Sequence, residues 1–217
     1  MNFRAVIFDM DGVLVDSELH WEKVEKELWG RLGITMLDEF RKKILGLKTS
    51  DILELARKSY GLKVSPGETH RIYNNAALPV YEKYSSLLPG VTQLLSKLQA
   101  RGATLAIASS SPELWIDTFL RRFSLHDVFP RVFSAETLGV PGKPDPAIYT
   151  HTMREMSLRP EDTVIIEDST NGFQAALASG AATVAVPDPR WSRGDFSAAD
   201  LVISSLQDKK LYDFLGL

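Results

Sequence analysis

Four carboxylates close two apolar runs in this sequence. Asp9 and Asp11 end "AVIFDMDG", and Glu167 and Asp168 end "TVIIED". Asp9 and Asp11 are two residues apart, so on an extended chain their side chains share a direction, and Gly12 then allows a sharp bend. A third apolar run, "TLAIASSS", ends in Ser109, Ser110 and Ser111, and Lys143 lies in the loop "PGKPDP". Each feature alone has an ordinary reading: an Asp-Gly turn, serines capping a helix, a solvated loop lysine, an N-cap in "EDS". Together they describe a rim where several negative charges crowd, which is costly unless a cation or a shifted protonation relieves it. A hard, oxygen-seeking ion such as Mg²⁺ fits these ligands and binds phosphate alongside one or two carboxylates. Lys143 and the serine run supply the point charge and donors that a phosphate needs. The chain has no cysteine, and no His pair stands at metal-ligand spacing, so a zinc or soft-metal site has no support.

The elements that must position these residues follow from the pattern of apolar positions. Ala5 to Phe8 form an unbroken apolar run, as in a strand covered on both faces. "GVTQLLSKLQARG" places Val91, Leu94, Leu95 and Leu98 at helical spacing and stops at Gly102. Strands are expected at "ATLAIASSS" from 103, "RVFSA" from 131, "TVIIED" from 163 and "ATVAV" from 182, with helices at about 146–156 and 171–179 between them. This alternation predicts a Rossmann-like α/β core with a parallel sheet and right-handed crossovers. Between 17 and 86 the pattern is helical throughout. "SELHWEKVEKELWGRLG" carries a stripe of Leu19, Val24, Leu28 and Leu32, and "SPGE" at 65–68 is a capping box with proline at the first helical position. The expected organisation is a catalytic core from 1–16 and 87–217 with an all-helical cap over 17–86. Ligands of parallel sheets sit at the carboxyl ends of the strands, where this insertion begins.

Composition agrees with small-molecule chemistry. The 217 residues are 44% hydrophobic with a net charge of -3 and no basic run, so nothing points to nucleic acid. No apolar run reaches the ~18 residues of a membrane span, and the N-terminus lacks a signal-peptide pattern. A cytoplasmic protein is expected, a monomer with a dimer as the alternative.

The motifs "FDMDGVL", "IASSS", "GKPDP" and "IIEDS", in this order, resemble the four motifs of the haloacid dehalogenase superfamily. The early helical insertion is similar to its cap-bearing beta-phosphoglucomutase-like branch. The resemblance implies that Asp9 is a nucleophile forming an aspartyl-phosphate and that Asp11 is the general acid and then base. It implies that Ser109, Ser110 and Lys143 hold the phosphoryl oxygens. The Asp9 carboxylate, the Asp11 backbone carbonyl and Asp168 would hold Mg²⁺, with Glu167 as a further ligand or a supporting partner. The expected substrate is a small phosphorylated metabolite, a sugar or polyol phosphate.

Within that branch, hydrolysis and mutase chemistry divide on the cap. The mutases use an arginine in a "G-x-x-R" loop, where this chain has "GLKT" with Thr49 at the arginine position. They also place a histidine where this chain has Trp21, and His20, one residue early, points about 100° away on a helix. These departures favour a phosphatase, with a beta-phosphoglucomutase-type phosphomutase as the alternative. Glu18, Trp21 and Lys48 are the cap residues expected to select substrate. Each also has a plain structural reading: Glu18 as a first-turn charge, Trp21 sharing a packing face with Trp29 eight residues on, Lys48 as a solvated loop lysine.

Overall fold

A computed structural model describes residues 3–192 and 194–217. Six parallel strands form one sheet: β1 (Ala5–Phe8), β2 (Thr104–Ser109), β3 (Arg131–Ser134), β4 (Thr163–Glu167), β5 (Ala182–Ala185) and β6 (Leu201–Val202), in the order β3-β2-β1-β4-β5-β6. β1 is central because its four residues are all buried and it can therefore be covered from both sides. Its partners alternate by pleat. Val6, Phe8, Ile107 and Ile166 face the larger core, while Ile7, Ala106, Ala108 and Ile165 face the smaller one. Helices α5 (Val91–Ala100), α6 (Glu113–Phe123) and α10 (Lys209–Leu215) contribute buried residues to the first face, and α8 (Ala147–Glu155) and α9 (Thr170–Ala178) to the second. On the second face small residues stand in both layers, Ala106 and Ala108 in the sheet and Ala175 and Ala176 in α9, and suit close approach of helix and sheet.

The insertion is helical, as its sequence predicts. It contains α1 (Glu18–Arg31), α2 (Asp38–Ile44), α3 (Thr49–Tyr60), α4 (Pro66–Pro79) and a π-helical turn over Val80–Tyr84. Ser65 caps α4 by accepting from the Glu68 amide at 3.3 Å. The chain leaves and re-enters the core through paired connections, with Asp16 N donating to Ser86 O and Leu88 N to Leu14 O, both at 3.0 Å. A short α7 (Ala135–Leu138) follows β3.

Two expectations need correction. Of the expected α1 stripe, Leu28 is buried and Val24 and Leu32 pack against the core, whereas Leu19 is 43% exposed and Glu25 joins Trp21 and Trp29 on the buried face. Glu25 can be buried because Arg41 lies 3.2 Å from its Oε2 and Tyr73 OH donates to its Oε1. β6 was not expected, since two residues carry too little periodicity to read. Among the described residues no helix is long and apolar enough to cross a membrane.

Candidate active site

Sheet register brings the acidic residues together. Phe8 pairs with both Ile107 and Ile166, so the next residues along, Asp9 and Glu167, emerge side by side where β1 and β4 end. β1 is also where successive connections diverge, with β2 on one side and β4 on the other, so a crevice opens at this rim. Gly12 is required here twice over. Its φ of +77° is a left-handed conformation, and a Cβ at this position would lie 2.1 Å from Asp168 Oδ2. Gly172 makes the matching space for Glu167, whose Oε1 would lie 1.9 Å from an added Cβ.

Lys143 is buried, and its Nζ donates to Asp9 Oδ1 at 2.6 Å and to Glu167 Oε1 at 2.5 Å. Burial opposes its charge, but Asp9 and then Glu167 outweigh it and hold the pKa well above the ordinary lysine value. Glu167 is fully saturated: Oε1 also accepts from Tyr149 OH at 2.6 Å, and Oε2 accepts from the Asp168 and Ser169 amides and the Ser169 hydroxyl. It therefore orients Lys143 and the turn into α9.

Asp11 has a different set of partners. Its Oδ1 accepts from Ser17 Oγ at 2.6 Å and Tyr81 OH at 2.8 Å, and Oδ2 accepts from Ser111 Oγ at 2.8 Å. Burial raises its pKa while these three donors restrain the rise. Ser109 Oγ accepts from the Ser111 amide at 3.1 Å and so shapes the loop after β2. Ser110 Oγ donates to Gly46 O of the insertion at 2.7 Å.

Carboxylate oxygens of Asp9, Glu167 and Asp168 lie within 4.8 Å of one another. The donor set fits Mg²⁺. Burial pushes the Asp9 pKa up to about 7, with Lys143 opposing and Glu167 adding to the rise. Asp168 is raised well above the carboxylate range by burial, then by Glu167 and Asp9. A divalent cation would relieve both.

A cavity of about 80 Å³ opens over Asp9, Asp11, Asp168 and the three serines, and extends beneath the insertion to Glu18 and Trp21. Lys48 is placed elsewhere. Its Nζ donates to Val140 O at 2.9 Å, on the loop that carries Lys143, and it does not line the cavity. Sequence reasoning missed Tyr81, Glu25, Tyr73, Trp115 and Trp191. Only the aromatic content of these segments hinted at them, because their partners come from distant parts of the chain.

This sheet, insertion and acidic rim define a capped hydrolase. The haloacid dehalogenase-like hydrolase profile matches residues 6–186, and the chain belongs to that family. Among curated relatives, hexitol phosphatase B of Escherichia coli (strain K12) is 32% identical, with the match covering 98% of this chain and 96% of that protein. The phosphorylated carbohydrates phosphatase of Thermotoga maritima is 29% identical over 82% of each chain. In fold, the chain is similar to CbbY from Rhodobacter sphaeroides, with a TM-score of 0.85 at 23% identity and coverage of 95% of this chain and 96% of that one.

Proposed function

We propose that this chain is a Mg²⁺-dependent phosphatase that hydrolyses a sugar or polyol phosphate through an aspartyl-phosphate on Asp9, with residues 17–86 acting as its cap. The observation that carries this reading is the division of labour between the two aspartates. Asp9 is clamped by Lys143 through one oxygen, while Asp11 is held by three hydroxyl donors. One carboxylate is thus aligned for attack and the other is held for proton transfer.

In the first step an Asp9 oxygen attacks phosphorus, the bond to the leaving oxygen breaks, and Asp11 gives its proton to the departing alkoxide. In the second, Asp11 takes a proton from water as that water attacks phosphorus, releasing phosphate and restoring Asp9. Lys143 and the Ser109 and Ser110 loop hold the phosphoryl oxygens. Bound Mg²⁺, held by the Asp9 and Asp168 carboxylates and the Asp11 backbone carbonyl, would neutralise charge on the incoming phosphoryl group. Glu167 supports Lys143 without ligating, and Lys48 steadies its loop. Thr49, buried and lining the cavity at the position where a mutase carries arginine, favours hydrolysis over a bisphosphate intermediate.

Phosphate release from sugar and polyol phosphates, followed with and without chelator, tests the reading. Activity should require Mg²⁺, vanish in Asp9→Asn and fall strongly in Asp168→Ala. Full turnover in excess chelator would end the metal assignment. Isomerisation of a hexose 1-phosphate primed by a bisphosphate, if faster than hydrolysis, would overturn the phosphatase reading.

A further inference from the structure

Lys143 stands between two carboxylates that compete for it. Its Nζ donates to Asp9 Oδ1 at 2.6 Å and to Glu167 Oε1 at 2.5 Å, and an ammonium has three N–H donors, which leaves one for a phosphoryl oxygen. Glu167 is fully buried, so water does not screen its charge. With nothing else on Oε1, such a carboxylate would draw the lysine to itself and away from Asp9. Nor can Glu167 follow the lysine, because its Oε2 is bound to the Asp168 and Ser169 amides and the Ser169 hydroxyl at the turn into α9.

Tyr149 relieves that competition. It lies in the first turn of α8 and is completely buried. Its hydroxyl donates to the same Glu167 Oε1 at 2.6 Å, and its ring centroid lies 5.0 Å from Lys143 Nζ. One side chain therefore balances part of the charge on Oε1 and offers an aromatic face to the ammonium. Burial and then the neighbouring Glu167 keep the phenol pKa well above its ordinary value, so the hydroxyl remains a donor.

Resting on the phosphatase reading, we infer that Tyr149 is a positioning residue for Lys143: by donating to Glu167 Oε1 it limits the pull of that carboxylate, so that the lysine stays on Asp9 and keeps a donor for the phosphoryl group. Tyr149 does not line the cavity and acts only through Glu167 and Lys143. Without its hydroxyl, Lys143 is the one donor left on Oε1 among the described residues. The ammonium then settles closer to Glu167, and its grip on Asp9 and on the phosphoryl oxygen loosens. A fraction of an ångström is enough, since a misplacement of about 1 Å can cost about 10²-fold.

Two variants remove the donor and keep the space filled. Tyr149→Phe retains the ring, and Tyr149→Met replaces it with a flexible apolar chain, so that one decides if the other does not fold. The control is Ile148→Val, at an apolar and fully buried neighbour on α8. Each Mg²⁺-loaded protein is titrated calorimetrically with inorganic phosphate and assayed on p-nitrophenyl phosphate, and its melting temperature is recorded. Both Tyr149 variants should bind phosphate about tenfold more weakly and show a KM raised by about the same factor. Ile148→Val should lower the melting temperature and leave the phosphate Kd and the KM within about twofold of the wild type. A merely structural role for Tyr149 would reduce the folded fraction, which lowers the apparent kcat and moves neither Kd nor KM. Unchanged Kd and KM in a folded Tyr149 variant, or an equal rise in Ile148→Val, would overturn the inference and leave the phosphatase reading standing. Wild-type protein that neither binds phosphate nor releases it from p-nitrophenyl phosphate would overturn that reading and the inference with it.

Discussion

Tyr81 and Asp11 show how single side chains tune the proposed chemistry. In the proposed mechanism Asp11 exchanges a proton with both the leaving group and water, and its carboxylate is steered by Ser17, Ser111 and Tyr81. Asp11→Asn keeps the shape but cannot transfer that proton, so turnover of an alkyl phosphate should fall about 10²- to 10⁴-fold. With an activated aryl phosphate Asp9 should still be phosphorylated, and intact-mass measurement after acid quench should find more phosphoenzyme than in the wild type. Tyr81→Phe removes one of the three donors and should slow alkyl phosphate turnover by roughly tenfold, about the worth of one hydrogen bond to a charged group. The aryl phosphate should be far less affected. Equal losses on both substrates would reduce Tyr81 to a packing residue. Asp11 was legible from its place two residues after Asp9. Tyr81 was not, because 70 residues separate it from its partner and only the π-helical turn presents it.

At the scale of elements, strand ends and tight glycine turns determine where the carboxylates stand. Gly12→Ala meets two penalties: a left-handed φ, costing about 1–2 kcal/mol, and a Cβ driven into the Asp168 carboxylate. Gly33, also left-handed at φ +72°, has nothing within 4 Å of an added Cβ. Gly12→Ala should therefore lose most activity and lower the melting temperature, while Gly33→Ala lowers it by the conformational share alone and keeps kcat. Comparable stability and activity in the two variants would remove the steric argument. The five longer strands were readable because each is an apolar run bounded by turn residues, and the helices between them keep a 3.6-residue repeat. On α1 the burial of Glu25 was not readable, for a physical reason. Glu25 counts as a solvent-facing residue in any pattern of apolar positions, yet Arg41 and Tyr73, 16 and 48 residues away, make its burial tolerable.

Across the whole molecule, the insertion is fastened to the core by polar contacts from short segments. Ser110 Oγ donates to Gly46 O, Asn171 Nδ2 to Leu45 O, Lys48 Nζ to Val140 O, and Ser50 to Glu136. These contacts close the space above the acidic rim and bury the Glu18, Glu25 and Arg41 group beneath them. That burial makes stability depend on pH. Glu25 rises from its ordinary 4.5 to about 7 and Glu18 to about 8, chiefly through burial with Arg41 opposing. The folded chain then binds more protons than the unfolded chain between those values, so stability falls as pH rises. The contribution is present in full below about 4.5 and is lost as pH passes through 7 to 8. Asp9, raised to about 7, acts in the same direction when no cation is bound. Thermal unfolding in chelator should therefore give a melting temperature that declines from pH 5 to pH 8. Mg²⁺ should reduce the decline by favouring the ionised acids of the rim. Glu25→Gln, which keeps an oxygen for Arg41 but cannot titrate, should flatten the metal-free curve further toward the acid-independent limit. A wild-type melting temperature that is level or rising over this range would mean that these carboxylates are ionised in the folded protein, with Arg41 and solvent compensating their burial in full.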